Sequence, residues 1–268
     1  MIHLPRTALG IGLILALSSA QLVTAAPKST SMPRSGMKAP VSNLGIVQDS
    51  AIDAIKAMST YLMQQQTLQI ATVGSLDVVT DDGQRIQLDG TTTYKIKRPG
   101  FVIDYVSDIK SRRFIYDGKN FTVYSPKLGF YAQVPAPATN KEVLDTIYNK
   151  FGISLPLEDL FRWGDGNEDR VKALKSAYKV GTATIDGTET DHYAFREDDV
   201  DWEVWIQQGD QPVPRKLVIV DRTDPARPTF TTRLTWQLNP TFTDADFAFV
   251  PDANAKRIQL ATYKGGGE

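Results

Sequence analysis

The 268 residues contain no cysteine. That absence removes disulfides, thiolate metal ligands, a cysteine nucleophile and the acylated cysteine of a bacterial lipoprotein. Histidine is nearly missing: there are two, and with His3 at the N-terminus only His192 lies in the body of the chain. Charge of one sign is also lacking. The 30 basic and 31 acidic residues almost cancel, so there is no electrostatic footprint for nucleic acid or an anionic membrane surface. No Gly-rich phosphate loop and no Cys/His cluster occurs, so neither a cofactor nor a metal is expected.

What is present begins with a short segment carrying Arg6, an apolar run from Ala8 to Leu17, and small residues at Ala25 and Ala26. These are the three parts of a secretory signal peptide, and the run is shorter than the roughly 20 residues of a spanning helix. Residues 1–26 are expected to be a signal cleaved after Ala25 or Ala26, directing the chain to the periplasm. Removing Arg6 leaves 29 basic against 31 acidic residues. The stretch 27–47, rich in Ser, Lys and Pro at its start, reads as a disordered linker. Residues 48–262 then suit one β-rich domain.

Ala51 to Gln66 places Ile52, Ile55, Met58 and Leu62 at helical spacing, with Asp49 or Ser50 as the expected N-cap. The pattern then switches to period two. Ile70, Thr72, Gly74, Leu76 and Val78 share one parity, Asp81-Asp82-Gly83 makes a turn, and Ile86 to Ile96 alternates again. Asp117-Gly118 and Asp186-Gly187 mark further hairpins. Between Pro137 and Leu174 the strand pattern stops. Thr139 or Asn140 caps a helix bearing Val143, Leu144, Ile147 and Phe151, a short helix spans Leu157 to Trp163, and Asp165 to Asp169 reads as a polar loop. Strands resume from Ala177 to Leu238, and further strands are expected at Phe247 to Val250 and Arg257 to Leu260. The fold class is mainly β (α+β), with about eleven antiparallel strands and two or three helices. So long a sheet must curl, which predicts a strongly curved half-barrel with helices covering its concave face.

Several strings carry a family resemblance. Lys97-Arg98-Pro99, then Tyr116-Asp117-Gly118-Lys119 and a strand ending at Tyr124 resemble the hairpins of the LolA/LolB-like periplasmic lipoprotein carriers. Ala54 to Met58, Leu155-Pro156-Leu157, Leu160 to Trp163, Asp191 to Phe195 and Pro214 to Leu217 are similar to a family of predicted periplasmic proteins of unknown function. The resemblance implies a half-open antiparallel barrel closed by helices around an apolar cavity, and it brings no catalytic residues.

The residues themselves offer little chemistry. His192 sits in an alternating strand without a Gly-x-Ser-x-Gly elbow, and is expected to be a hydrogen-bonded strand residue. Asp165 to Asp169 starts like a calcium loop but carries Arg170 and Ser176 where Gly and Glu are required. The carboxylates Glu197, Asp198, Asp199, Asp201 and Glu203 read mostly as a hydrated hairpin tip, not a glycosidase pair. What remains is apolar surface at matched parity: Tyr94 with Ile96, Ile103 with Tyr105, Phe114 with Tyr116, Phe121 with Val123, Val204 with Ile206, Leu217 with Ile219, and Leu234 with Trp236. Most of these should form core; the remainder would line a cavity, with the Leu157 to Trp163 helix as a lid contributing Phe161 and Trp163. The expected function is a monomeric, non-enzymatic binding protein or carrier for a lipid, acyl chain or lipidated polypeptide. An envelope membrane protein is a further conceivable partner. The alternatives are an envelope interaction module with a filled core, or a hydrolase using His192 or the 197–203 carboxylates.

Overall fold

The computed structural model describes residues 45–161, 163 and 168–262. The expected signal, most of the expected linker and positions 165–167 of the calcium-like run lie outside the described residues.

Helix α1 (Asp49–Gln64) buries Ile52, Ile55, Met58, Ser59 and Leu62 along one stripe, as 3.6-residue spacing requires. Its N-cap is Gln48, without a side-chain cap, in place of the expected Asp49 or Ser50. Six strands follow: β1 (Thr67–Val79), β2 (Arg85–Lys97), β3 (Phe101–Ser107), β4 (Ser111–Tyr116), β5 (Asn120–Ser125) and β6 (Phe130–Pro135). Helix α2 (Asn140–Phe151) starts at Thr139, whose hydroxyl accepts from the Glu142 amide, and ends at Gly152 in the left-handed region. The expected helix over Leu157 to Trp163 is only a 3₁₀ turn, Glu158–Phe161. The polar loop expected at Asp165 to Asp169 is corrected too: Glu168 opens a short helix, α3 (Glu168–Ala173), with both acidic residues in its first turn, where the helix dipole favours them.

The second set is β7 (Ser176–Ile185), β8 (Thr188–Arg196), β9 (Val200–Gln207), β10 (Pro214–Asp221) and β11 (Thr229–Leu238). Phe247 to Val250 is not a strand. A 3₁₀ turn, Asp244–Phe247, is followed by the two-residue β12 (Lys256–Arg257), which pairs parallel to β6. Phe247 is instead drawn onto the outer face, against Val102 and Ile115, and Lys95–Asp246 and Lys97–Asp244 ion pairs pin the turn there.

The twelve strands among the described residues form one curved sheet, not closed into a barrel, in the order β12-β6-β5-β4-β3-β2-β1-β11-β10-β9-β8-β7. The helical insertion separates two antiparallel meanders, and β6 and β7, neighbours in sequence, stand far apart in the sheet. The meanders join where β1 pairs with β11, in register from Leu68–Leu238 to Leu76–Phe230. The concave face holds the main core, built from α1, Val143 and Ile147 of α2, and the inward side chains of both meanders.

Candidate functional site

On the three central strands the inward side chains change size in step. Near α1 they are large: Leu68 faces Ile96, and Ile70 lies between Tyr94 and Trp236. Two residues further along β1, Thr72 faces Thr92, and then Gly74 lies between Gly90 and Thr232. Beyond them large residues return, with Leu76 between Leu88 and Phe230. Side chains of one parity share a face, so a band of small residues between two bands of large ones leaves a hollow. A cavity of about 100 Å³ lies there, with Thr72, Gly74, Gly90, Thr92 and Thr232 in its wall. The threonines are buried, and hydroxyls of two of them reach backbone carbonyls: Thr72 to Thr92 at 3.4 Å and Thr232 to Val73 at 3.3 Å. Gly74 has a second reason for its identity. A Cβ on it would stand 2.3 Å from the Thr231 carbonyl oxygen, so close strand approach excludes any side chain.

One flank of the cavity is apolar, formed by Leu217 and Ile219 of β10 and Phe230 of β11; the other is Tyr94, Tyr105, Lys110, Arg112 and Phe114. Its roof is the segment after α2, through Ser154, Pro156, Leu157, Asp159 and Leu160. Leu157 has φ of 63°, a conformation costing a non-glycine residue roughly 1–2 kcal/mol. Surrounding structure must hold it, and Asp159 supplies a tie through its 3.2 Å contact with Arg170. Burial pushes the Tyr94 phenol above its ordinary pKa.

Of the residues expected in a cavity, Tyr94, Tyr105, Phe114, Leu217 and Ile219 lie in this wall. Ile96, Ile103, Tyr116, Phe121, Val204, Ile206 and Leu234 are buried in the continuous core, and Val123 and Trp236 pack against it. Phe161 and Trp163 do not face the cavity from the roof: Phe161 lies beneath the Arg98 guanidinium and Trp163 tilts against Trp202 with ring centres 5.4 Å apart. The roof is instead Pro156, Leu157 and Leu160. Sequence reasoning passed over Thr72, Gly74, Gly90, Thr92 and Thr232 because they are not apolar. Their signal was small residues at inward parity on strands that are otherwise large and apolar.

The groups weighed for catalysis are dispersed. His192 faces outward, stacks on Trp205 at 3.9 Å, and its Nε2 lies 2.8 Å from Glu203. Lys216 Nζ sits 4.2 Å from the same indole centre, making a surface ladder across β8, β9 and β10. Asp201 is gripped by both Nε and Nη2 of Arg196 and by Arg227. Glu197 is the exception to the hydrated hairpin tip expected there. It is buried, accepts from the Trp202 indole N–H at 3.2 Å, and burial raises its pKa to about 7. None of these groups lines the cavity. Among the described residues no cluster of His, Asp and Glu could hold a metal, and no helix is long and apolar enough to cross a membrane.

Among curated proteins none matches this chain. Among solved structures it is similar to an uncharacterized conserved protein from Thermus thermophilus, with 12% identity and a TM-score of 0.47 over 78% of this chain and 99% of that one. It is also similar to the lipoprotein LppX of Mycobacterium tuberculosis, with 12% identity and a TM-score of 0.43 over 73% and 98% of the two chains. A LolA superfamily protein from Nitrosomonas europaea matches with 10% identity and a TM-score of 0.36 over 76% and 98%. The model of one family, described as predicted periplasmic protein, matches residues 51–261. That span runs from the first turn of α1 to beyond β12, and the chain belongs to this family of predicted periplasmic proteins, DUF2092.

Proposed function

We propose that this protein is a periplasmic binding protein that carries an acyl chain or other lipid in the cavity between the bent central strands and the 154–160 roof. The observation behind this reading is the band of small inward residues, which keeps a hollow open inside an otherwise close-packed core. Native interiors are filled to crystal-like density, so a hollow bounded by Leu76, Leu88, Leu160, Leu217, Ile219 and Phe230 suits an apolar occupant. One water needs roughly 10–15 Å³ measured in the same way, so the space suits a segment of a single acyl chain. Each methylene buried there would contribute about 0.8 kcal/mol. The strained, irregular roof supplies a part that can move to admit it. A wall that holds neither the imidazole nor the Glu197, Asp201 and Glu203 carboxylates supports reading it as a binding cavity. In this reading residues 1–26 deliver the chain and are removed, and 48–262 form the binding domain.

Native mass spectrometry with lipid extraction, on protein purified from a periplasmic fraction, tests the proposal. A bound species of lipid mass is expected. A clean apo mass, together with no uptake of a fluorescent fatty-acid probe, would overturn it in favour of an interaction module.

A further inference from the structure

The cavity is not uniformly apolar. Lys110, in the turn between β3 and β4, and Arg112, on β4 opposite Tyr105, both stand in its wall on the flank facing away from Leu217 and Ile219. Both are half-buried, and burial lowers the pKa of each, Arg112 adding repulsion at Lys110. Among the described residues no ion pair joins either cation to a carboxylate. Arg112 Nη1 donates to the Ser111 carbonyl at 2.9 Å and to Ser125 Oγ at 2.5 Å, both neutral acceptors. Asp159, the one carboxylate among the described residues of the wall, is engaged by Arg170. Two neighbouring cations, partly desolvated and held without a counter-charge, are costly unless something anionic joins them. The Arg112 side chain is already positioned through its neutral partners, which leaves guanidinium edges for a planar or tetrahedral oxyanion.

We infer that Lys110 and Arg112 form a headgroup subsite, so that the ligand is an amphiphile with an anionic group, carboxylate or phosphate, at one end of its acyl chain. This rests on the binding reading above and narrows it. The tail lies along Leu217, Ile219 and Phe230; the anion sits at the β3–β4 turn, with the Tyr105 phenol beside it.

The test is calorimetric titration of the protein with four probes: palmitate, the uncharged alcohol of the same chain length, lysophosphatidic acid, and inorganic phosphate. Charge-assisted bonds to one anionic group correspond to about tenfold or more in affinity, so palmitate or lysophosphatidic acid should outbind the alcohol by that factor. Raising salt should shrink the gap. The double substitution Lys110→Gln with Arg112→Gln should abolish the preference, bringing palmitate affinity down to that of the alcohol, and Arg112→Lys, which keeps the charge, should retain it. The anionic probe bound more tightly tells carboxylate from phosphate. Equal affinity for acid and alcohol would overturn the subsite while leaving the apolar cavity intact. Binding of inorganic phosphate as tight as that of the lipids would replace the amphiphile with a small-anion site. Failure of every probe to bind would overturn the cavity reading itself.

Discussion

Two successive stretches of the central strands share backbone geometry and parity but are packed in opposite ways. Toward α1, Leu68, Ile70, Tyr94, Ile96, Leu234 and Trp236 meet Ile55, Met58 and Leu62 in one continuous cluster. Toward the 154–160 roof, the same face carries Thr72, Gly74, Gly90, Thr92 and Thr232 and is hollow. The regular helix covers the filled stretch, and an irregular segment with Leu157 in the left-handed region covers the hollow one. Side-chain volume at inward positions, with no change of fold, separates close-packed core from hollow.

The comparison can be broken hardest in the close-packed core that surrounds the hollow. Trp202 is almost wholly buried, stacked on Phe195 at 3.9 Å and bonded to Glu197. Trp202→Ala should cost about 3–5 kcal/mol in urea unfolding, more than any single truncation in the cavity wall. Filling the hollow gives the converse. Thr92→Leu should change stability by less than about 1.5 kcal/mol, because the space exists to receive it, yet reduce uptake of a fluorescent fatty-acid probe by tenfold or more. Unchanged uptake would sink the assignment of the small-residue band.

Glu197 sharpens the contrast through pH. Its folded-state pKa, raised by burial to about 7, exceeds the ordinary carboxylate value, so between about pH 4.5 and 7 the native state binds more protons than the unfolded one. Its contribution is therefore favourable in acid and lost as pH rises through 7. Glu197→Gln should flatten that slope by on the order of 1 kcal/mol in melts at pH 5 and 8, and leave probe uptake unaltered. The smallest effect belongs to the outer face: His192→Ala should shift stability by no more than about 1 kcal/mol and leave ligand uptake intact. Loss of uptake there would move the ligand site to the outer face.

Much of this architecture was legible in the order of residues. The strand expected from Ala177 to the Asp186-Gly187 turn emerged within one residue, as Ser176–Ile185, since period-two alternation ended by an Asp-Gly turn is a local property. The apolar side chains picked out along the meanders share the face that meets the helices, because alternation sorts a strand's residues onto two faces. Phe161 and Trp163 lie against Arg98 and Trp202, neighbours that the sequence did not name, because hydrophobicity marks burial and does not say which neighbour receives the side chain. Phe247 to Val250 looked like a strand because Phe247 and Phe249, which pack over Val102 and Ile115, give it a strand's composition.

The sequence by itself determined the class of protein: a β-rich chain without cysteine, built from two meanders divided by a helical insertion, its periodicity enforced by backbone geometry alone. Only the tertiary structure decided that β1 and β11, some 160 residues apart, lie side by side. It also decided that three scattered sets of small residues coincide in one hollow, and that Lys110 and Arg112 border it. Pairing between strands so far apart depends on how the whole sheet curls, and a cavity is the space that packing leaves over, which no local pattern encodes.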